Sequence, residues 1–86
     1  MSAAIFTLQI ADRYTKERIS EVVKLEAADL SNEYEVSIID SRRDDTWELR
    51  IKRPDGSKIT SPLHRDLGDL TPAVFRIRLR ELLKLL

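Results

Sequence analysis

Eighty-six residues suffice for one domain with a core of its own, and a chain without cysteine excludes disulfide scaffolds, thiolate metal sites and cysteine nucleophiles. A single histidine, His64, excludes a multi-histidine metal site within one chain. Fifteen basic and fifteen acidic residues cancel, so the marked basic excess of a dedicated nucleic-acid domain is missing.

The cancellation is uneven along the chain. Residues 1–40 hold eight acids and four bases, and residues 41–86 hold seven acids and eleven bases, so the halves carry −4 and +4. A fold that pairs its own halves accounts for this, and so does a basic surface for an anionic partner. No apolar run is long enough to span a membrane. Ala3 to Ala11 lacks the basic start and cleavage site of a signal peptide, so a cytoplasmic location is expected.

Met1 to Ala4 reads as a loose tail. In Ile5-Phe-Thr-Leu-Gln-Ile10, Phe6, Leu8 and Ile10 alternate with Thr7 and Gln9. The run fits a short strand, the start of a helix or an ordered arm, because short apolar runs are ambiguous. Asp12 or Thr15 can cap a helix running to about Leu30. Ile19, Val22, Val23, Ala27 and Leu30 share one face of it at helical spacing. Glu26 falls inside that stripe. It reads as a core-edge position whose carboxylate reaches solvent, with burial against an arginine as the alternative.

Glu33-Tyr-Glu-Val-Ser-Ile-Ile39 and Thr46-Trp-Glu-Leu-Arg-Ile-Lys52 both alternate with a period of two, the mark of half-buried strands. Asp40 to Asp45 between them is polar and turn-prone. An antiparallel pairing of Val36 with Leu49, Tyr34 with Ile51 and Ile38 with Trp47 also places Glu35 opposite Arg50 and Glu33 opposite Lys52. The next turn is better defined. Pro54 presets φ for a type I turn, Asp55 follows, and Gly56 supplies the positive φ that closes such a loop. That turn predicts the pairs Ile51 with Ile59, Leu49 with Ser61 and Trp47 with Leu63, all on one face. On the other face Lys52 opposes Lys58.

His64 to Thr71 reads as a loop broken at Gly68. Thr71 then Pro72 is a helix start, an N-cap hydroxyl followed by a residue that needs no N–H. Phe75 to Arg80 alternates as a strand would, but that start and the Glu-Leu-Leu-Lys-Leu-Leu86 ending favour a helix over Ala73 to Leu86. Phe75, Leu79, Leu82, Leu83 and Leu86 form its main apolar face, flanked by Val74, Ile77 and Leu85. Arg76, Arg80 and Lys84 make its polar stripe. That much leucine points to burial on more than one side, so Leu79, Leu82, Leu83 and Leu86 are the expected protein interface.

Few residues suggest chemistry. His64 with Asp66 and Asp69 gathers the residue types of a general base or a metal site, though both aspartates also suit turns. Asp40, Asp44 and Asp45 lack the spacing of a calcium loop. With only Gly56 and Gly68 there is no phosphate-cradling glycine loop. No catalytic residue, cofactor or metal site is assigned. The basic candidates for nucleic-acid contact are Arg42, Arg43, Arg76, Arg80 and Lys84. Arg50, Lys52 and Lys58 lie on a sheet face that also carries acids. Trp47 has core parity and is not available for base stacking.

The order helix, three strands, helix is similar to the double-stranded-RNA-binding fold, including HicA-type toxins. Pro54-Asp-Gly, then Thr60-Ser-Pro-Leu-His64, then Leu70-Thr and a leucine-rich helix resemble the second half of such a toxin over about thirty residues. Where that family places its catalytic histidine, early in the second strand, this chain has Trp47-Glu48. The lysine-rich start of the last helix in double-stranded-RNA binders is also absent. The resemblance therefore implies a scaffold and not a ribonuclease.

The expected fold is α+β, a three-stranded antiparallel meander with an N-terminal fourth strand as an option and two helices on one face. The expected role is a non-enzymatic interaction or regulatory module. It would act on a protein partner or on itself as a homo-oligomer. Nucleic-acid binding is the second reading and a small nuclease around His64 a distant third.

Overall fold

The structure, a computed structural model, describes residues 5–10, 12–43 and 46–86. The expected tail, Met1 to Ala4, and the acidic pair Asp44 and Asp45 lie outside the described residues. In chain order come strand β1 (Ile5–Leu8), helix α1 (Arg13–Glu26), strands β2 (Glu35–Arg43), β3 (Thr46–Lys52) and β4 (Lys58–His64), a 3-10 turn (Arg65–Leu67) and helix α2 (Pro72–Leu83). The strands form one sheet in the order β1-β2-β3-β4. β1 runs parallel to β2, and the other pairs are antiparallel. The class is α+β, with the meander as expected.

Of the readings open for Phe6 to Ile10, a strand is adopted at Ile5–Leu8. Phe6 pairs with Val36 and Leu8 with Ile38, so α1 is the crossover of a βαβ unit. Gln9 prolongs the pairing. Its N–H donates to the Ile38 carbonyl at 2.9 Å, and its side-chain oxygen accepts from the Asp40 N–H at 3.1 Å.

Asp12 caps α1, accepting from the Thr15 N–H at 2.8 Å and from the Thr15 hydroxyl. Those two bonds hold the Asp12 carboxyl below its ordinary range. The helix ends at Ala27, earlier than its apolar spacing suggests. Leu30 then packs against the core from a turn in which its N–H donates to the Ala27 carbonyl at 3.1 Å.

The β3–β4 hairpin has the register its turn dictates: Ile51 opposite Ile59, Leu49 opposite Ser61, Trp47 opposite Leu63 and Lys52 opposite Lys58. Gly56 sits at φ +91°, its N–H donates to the Arg53 carbonyl at 3.0 Å, and Arg53 N–H donates to the Ser57 carbonyl at 2.7 Å. Asp55 accepts from the Ser57 hydroxyl at 2.6 Å and from the Ser57 N–H at 2.8 Å, and the two bonds lower its carboxyl.

The β2–β3 register differs from the expected one by two residues. Val36 faces Ile51 instead of Leu49, Ile38 faces Leu49 instead of Trp47, and Glu35 faces Lys52 instead of Arg50. β2 also runs on through Arg43 with a register shift between Asp40 and Arg43, where a turn was expected. A slip of two keeps every side chain on its face, so alternation cannot see it. The charge matches that favoured the other pairing are worth only tenths of a kcal/mol each, roughly 0.2–1. Arg50 finds its acid two residues back on its own strand, Glu48, at 2.6 Å.

Thr71 occupies the N-cap of α2, but its hydroxyl donates to the Gly68 carbonyl at 2.7 Å and caps no helical N–H. Both helices lie on one sheet face. Val36, Ile38, Leu49, Ile51 and Leu63 from the sheet meet Ile19, Val22 and Val23 from α1 and Phe75, Leu79 and Leu82 from α2. Trp47 is buried at the edge of this core with the Arg65 guanidinium 5.0 Å from its ring centre. Among the described residues no helix is long and apolar enough to cross a membrane.

Candidate interaction surfaces

α2 is held from three directions, and these restraints decide which of its side chains remain available. Phe75 and Leu79 are fully buried under it, with Leu82 nearly so. Leu79 and Leu82 therefore belong to the monomer's own core, which corrects their expected place in an interface. Leu83 is half-buried against that core. Of the four leucines only Leu86 reaches the surface, at 40% exposure. The larger apolar exposures on this helix and its end belong to two flanking residues, Ile77 at 56% and Leu85 at 63%. On α1, Leu25 and Tyr14 are also exposed, and Arg18 stacks 4.5 Å from the Tyr14 ring centre. Residues 77 and 85 are eight apart, off the Phe75–Leu79–Leu82 stripe, so helical spacing was the signal available for them.

The second restraint is ionic. Glu26, at the end of α1, accepts from Arg80 Nε at 3.0 Å, and Arg80 Nη2 lies 2.9 Å from its other oxygen. Arg76 Nε lies 3.2 Å from that same oxygen, at an angle that makes an ion pair without a hydrogen bond. The Glu26 side chain is only 16% exposed, which corrects its expected solvent-reaching role. The Arg80 hydrogen bond lowers the Glu26 carboxyl, and the same bond raises the Arg80 guanidinium. Arg76 and Arg80 thus both pair with Glu26 across the helices, with their side chains 43% and 60% exposed. Lys84 is exposed and without an ion pair among the described residues. Arg42 and Arg43 belong to β2 by their backbone, and their side chains lie outside the described residues. Of the five basic candidates, the structure describes the side chains of Arg76, Arg80 and Lys84.

The third restraint is the hairpin. Arg53 Nη2 donates to the Leu85 carbonyl at 2.9 Å, satisfying a helix-end acceptor and placing positive charge at the negative end of α2.

The loop before α2 holds His64, Asp66 and Asp69. Asp69 is buried, and its carboxylate accepts from the His64 backbone N–H at 2.8 Å and from Arg78 Nε at 3.4 Å. In return the Asp69 N–H donates to the His64 carbonyl at 3.2 Å. The carboxylate thus serves the loop's backbone rather than the imidazole. Asp66 is exposed. Among the described residues no group of three or more His, Asp or Glu side chains could hold a metal ion.

Two concave surfaces remain. The face of the sheet away from the helices carries a shallow depression of about 270 Å³ lined by Thr7, Ser37, Ile39, Arg50, Lys52 and Lys58 among others. It is polar, and no aromatic residue lines it. The second is a groove of about 940 Å³ between β1 and α1, floored by Leu8 and Ile10 and flanked by Lys16, Ser20 and Lys24. No protein-family model, curated protein or solved structure matches the chain.

Proposed function

We infer that this domain is a non-enzymatic interaction module that associates with a second copy of itself through apolar side chains exposed on α2 and at its C-terminal end. The observation that carries the reading is the set of apolar side chains left exposed on α2 and just past its end after the core is complete: Ile77, Leu85 and Leu86, exposed by 56%, 63% and 40%. The formal charge of zero supports a like partner, since copies without net charge do not repel at long range. The absence of cysteine fits a cytoplasmic setting.

Light scattering over a concentration series tests it. The expected result is a mass that rises toward twice the monomer with concentration, and a monomer for Ile77→Glu combined with Leu85→Glu at unchanged circular dichroism. A wild-type chain that stays monomeric throughout overturns the reading.

Nucleic-acid binding on an α-β-β-β-α scaffold is the second reading. It is favoured by Lys52, Lys58 and Lys84, which make no ion pair among the described residues. Titration with double-stranded RNA at several salt concentrations tests it, with a steep loss of affinity as salt rises expected for phosphate contacts.

A further inference from the structure

The two edges of the sheet are not equivalent. At β4, Arg53 N–H donates to Ser57, and the ladder continues through Ile51 with Ile59. Backbone groups alternate sides along a strand, so the positions whose N–H faces outward are 58, 60, 62 and 64. Position 62 is a proline and has no N–H to offer. The His64 N–H is already taken by the Asp69 carboxylate at 2.8 Å. An arriving strand would meet neither donor, so the C-terminal half of this edge is closed.

Among the described residues β1 has no such protection. Its Gln9 N–H donates inward to Ile38, so the same alternation turns the N–H and C=O of Phe6 and Leu8 away from β2. No described residue hydrogen-bonds to them on that side. The edge runs beside the groove of about 940 Å³, whose floor is Leu8 and Ile10. Along its α1 wall Arg13 is neutralised by Glu17 at 3.1 Å, while Lys16, Lys24 and Glu21 have no ion pair among the described residues. The groove thus combines backbone donors and acceptors without a partner among the described residues, a floor of half-buried Leu8 and buried Ile10, and a surplus of one positive charge.

We propose that the open edge of β1 and the groove beside it receive an extended peptide segment of another protein, alternately apolar and carrying acidic residues, by strand addition. Main-chain hydrogen bonds to Phe6 and Leu8 supply the anchorage, alternate side chains enter the groove over Leu8 and Ile10, and an acidic residue meets Lys16 or Lys24. A second copy of this chain fits less well. Its own β1 packs Leu8 against its own core and so does not offer that side chain to the groove, and it brings the same positive surplus. The site is separate from the α2 surface and does not depend on self-association.

The test is to pan a random-peptide display library on the whole chain and titrate the enriched peptides into isotopically labelled protein. Enriched sequences should alternate apolar residues and include Asp or Glu. The Phe6 and Leu8 amides should gain protection from hydrogen exchange. Lys16→Glu with Lys24→Glu should weaken binding roughly tenfold at low salt with the fold intact, and Ile77→Glu should leave it unchanged. Enrichment of nothing, protection at another element, or indifference to the charge reversal overturns the proposal. Protection of Phe6 and Leu8 in a peptide-free dimer also overturns it and gives the edge to a second copy.

Discussion

Glu26 and Arg80, fifty-four residues apart, meet across the two helices at 2.9 and 3.0 Å, and Arg76 closes on the same carboxylate at 3.2 Å. Two arginines that sequence spacing offers to a nucleic acid also hold α2 on α1. The pair lies at the rim of the core, where a carboxylate left without its arginines would be poorly hydrated.

This relationship contributes to the acid side of the stability profile. The carboxyls of Glu26, Asp12 and Asp55 all lie below their ordinary range, lowered first by their hydrogen bonds to Arg80, Thr15 and Ser57. A depressed carboxyl stabilises the fold fully above its unfolded pKa, and that contribution is lost as pH falls through the folded one. Urea midpoints should therefore be flat near neutrality and fall below about pH 4. Glu26→Gln should flatten that fall, and a profile identical to the wild type would remove Glu26 from the account.

Leu79 and Ile77 separate core from surface on the same helix. Leu79→Ala should cost about 2–5 kcal/mol, because Leu79 is fully buried and its loss leaves a cavity. Ile77→Glu should change stability by no more than about 0.5 kcal/mol. Urea denaturation of the two variants checks both, and equal losses would mean that Ile77 is part of the core.

Asp69→Ala should cost about 1–3 kcal/mol, since it strands the His64 N–H and the Arg78 guanidinium together. Asp69→Asn keeps an acceptor for the N–H and should recover most of that loss. His64→Ala leaves the backbone bond intact and should cost much less, because the carboxylate contacts the N–H of His64 and not its ring.

Pro62→Val should open the β4 edge. The added N–H points away from β3, so the monomer keeps its ladder while the edge gains a donor. Light scattering at high concentration should then show larger species than the wild type, with little change in the urea midpoint. An unchanged mass would mean that Asp69 alone protects this edge.

The sequence by itself determined the two helices, the three strands of the meander and one register. The Pro54-Asp-Gly56 turn and the alternation of Trp47, Leu49 and Ile51 allow a single hairpin, because a tight turn leaves no slack and a one-residue slip would expose the core face. The α+β class followed from where the hydrophobic period changes between two and three to four. Tertiary structure decided the rest. The β2–β3 pairing could slip by two without moving any side chain to the other face, and only packing against the helices selects between the two registers. The strand at Ile5–Leu8 exists through its parallel partner β2, which no local pattern names. The division of the α2 leucines into core and surface, and the commitment of Arg76 and Arg80 to Glu26, depend on how two helices cross. Local periodicity says which side of a helix is apolar, but how much of that side is covered is set by what lies against it.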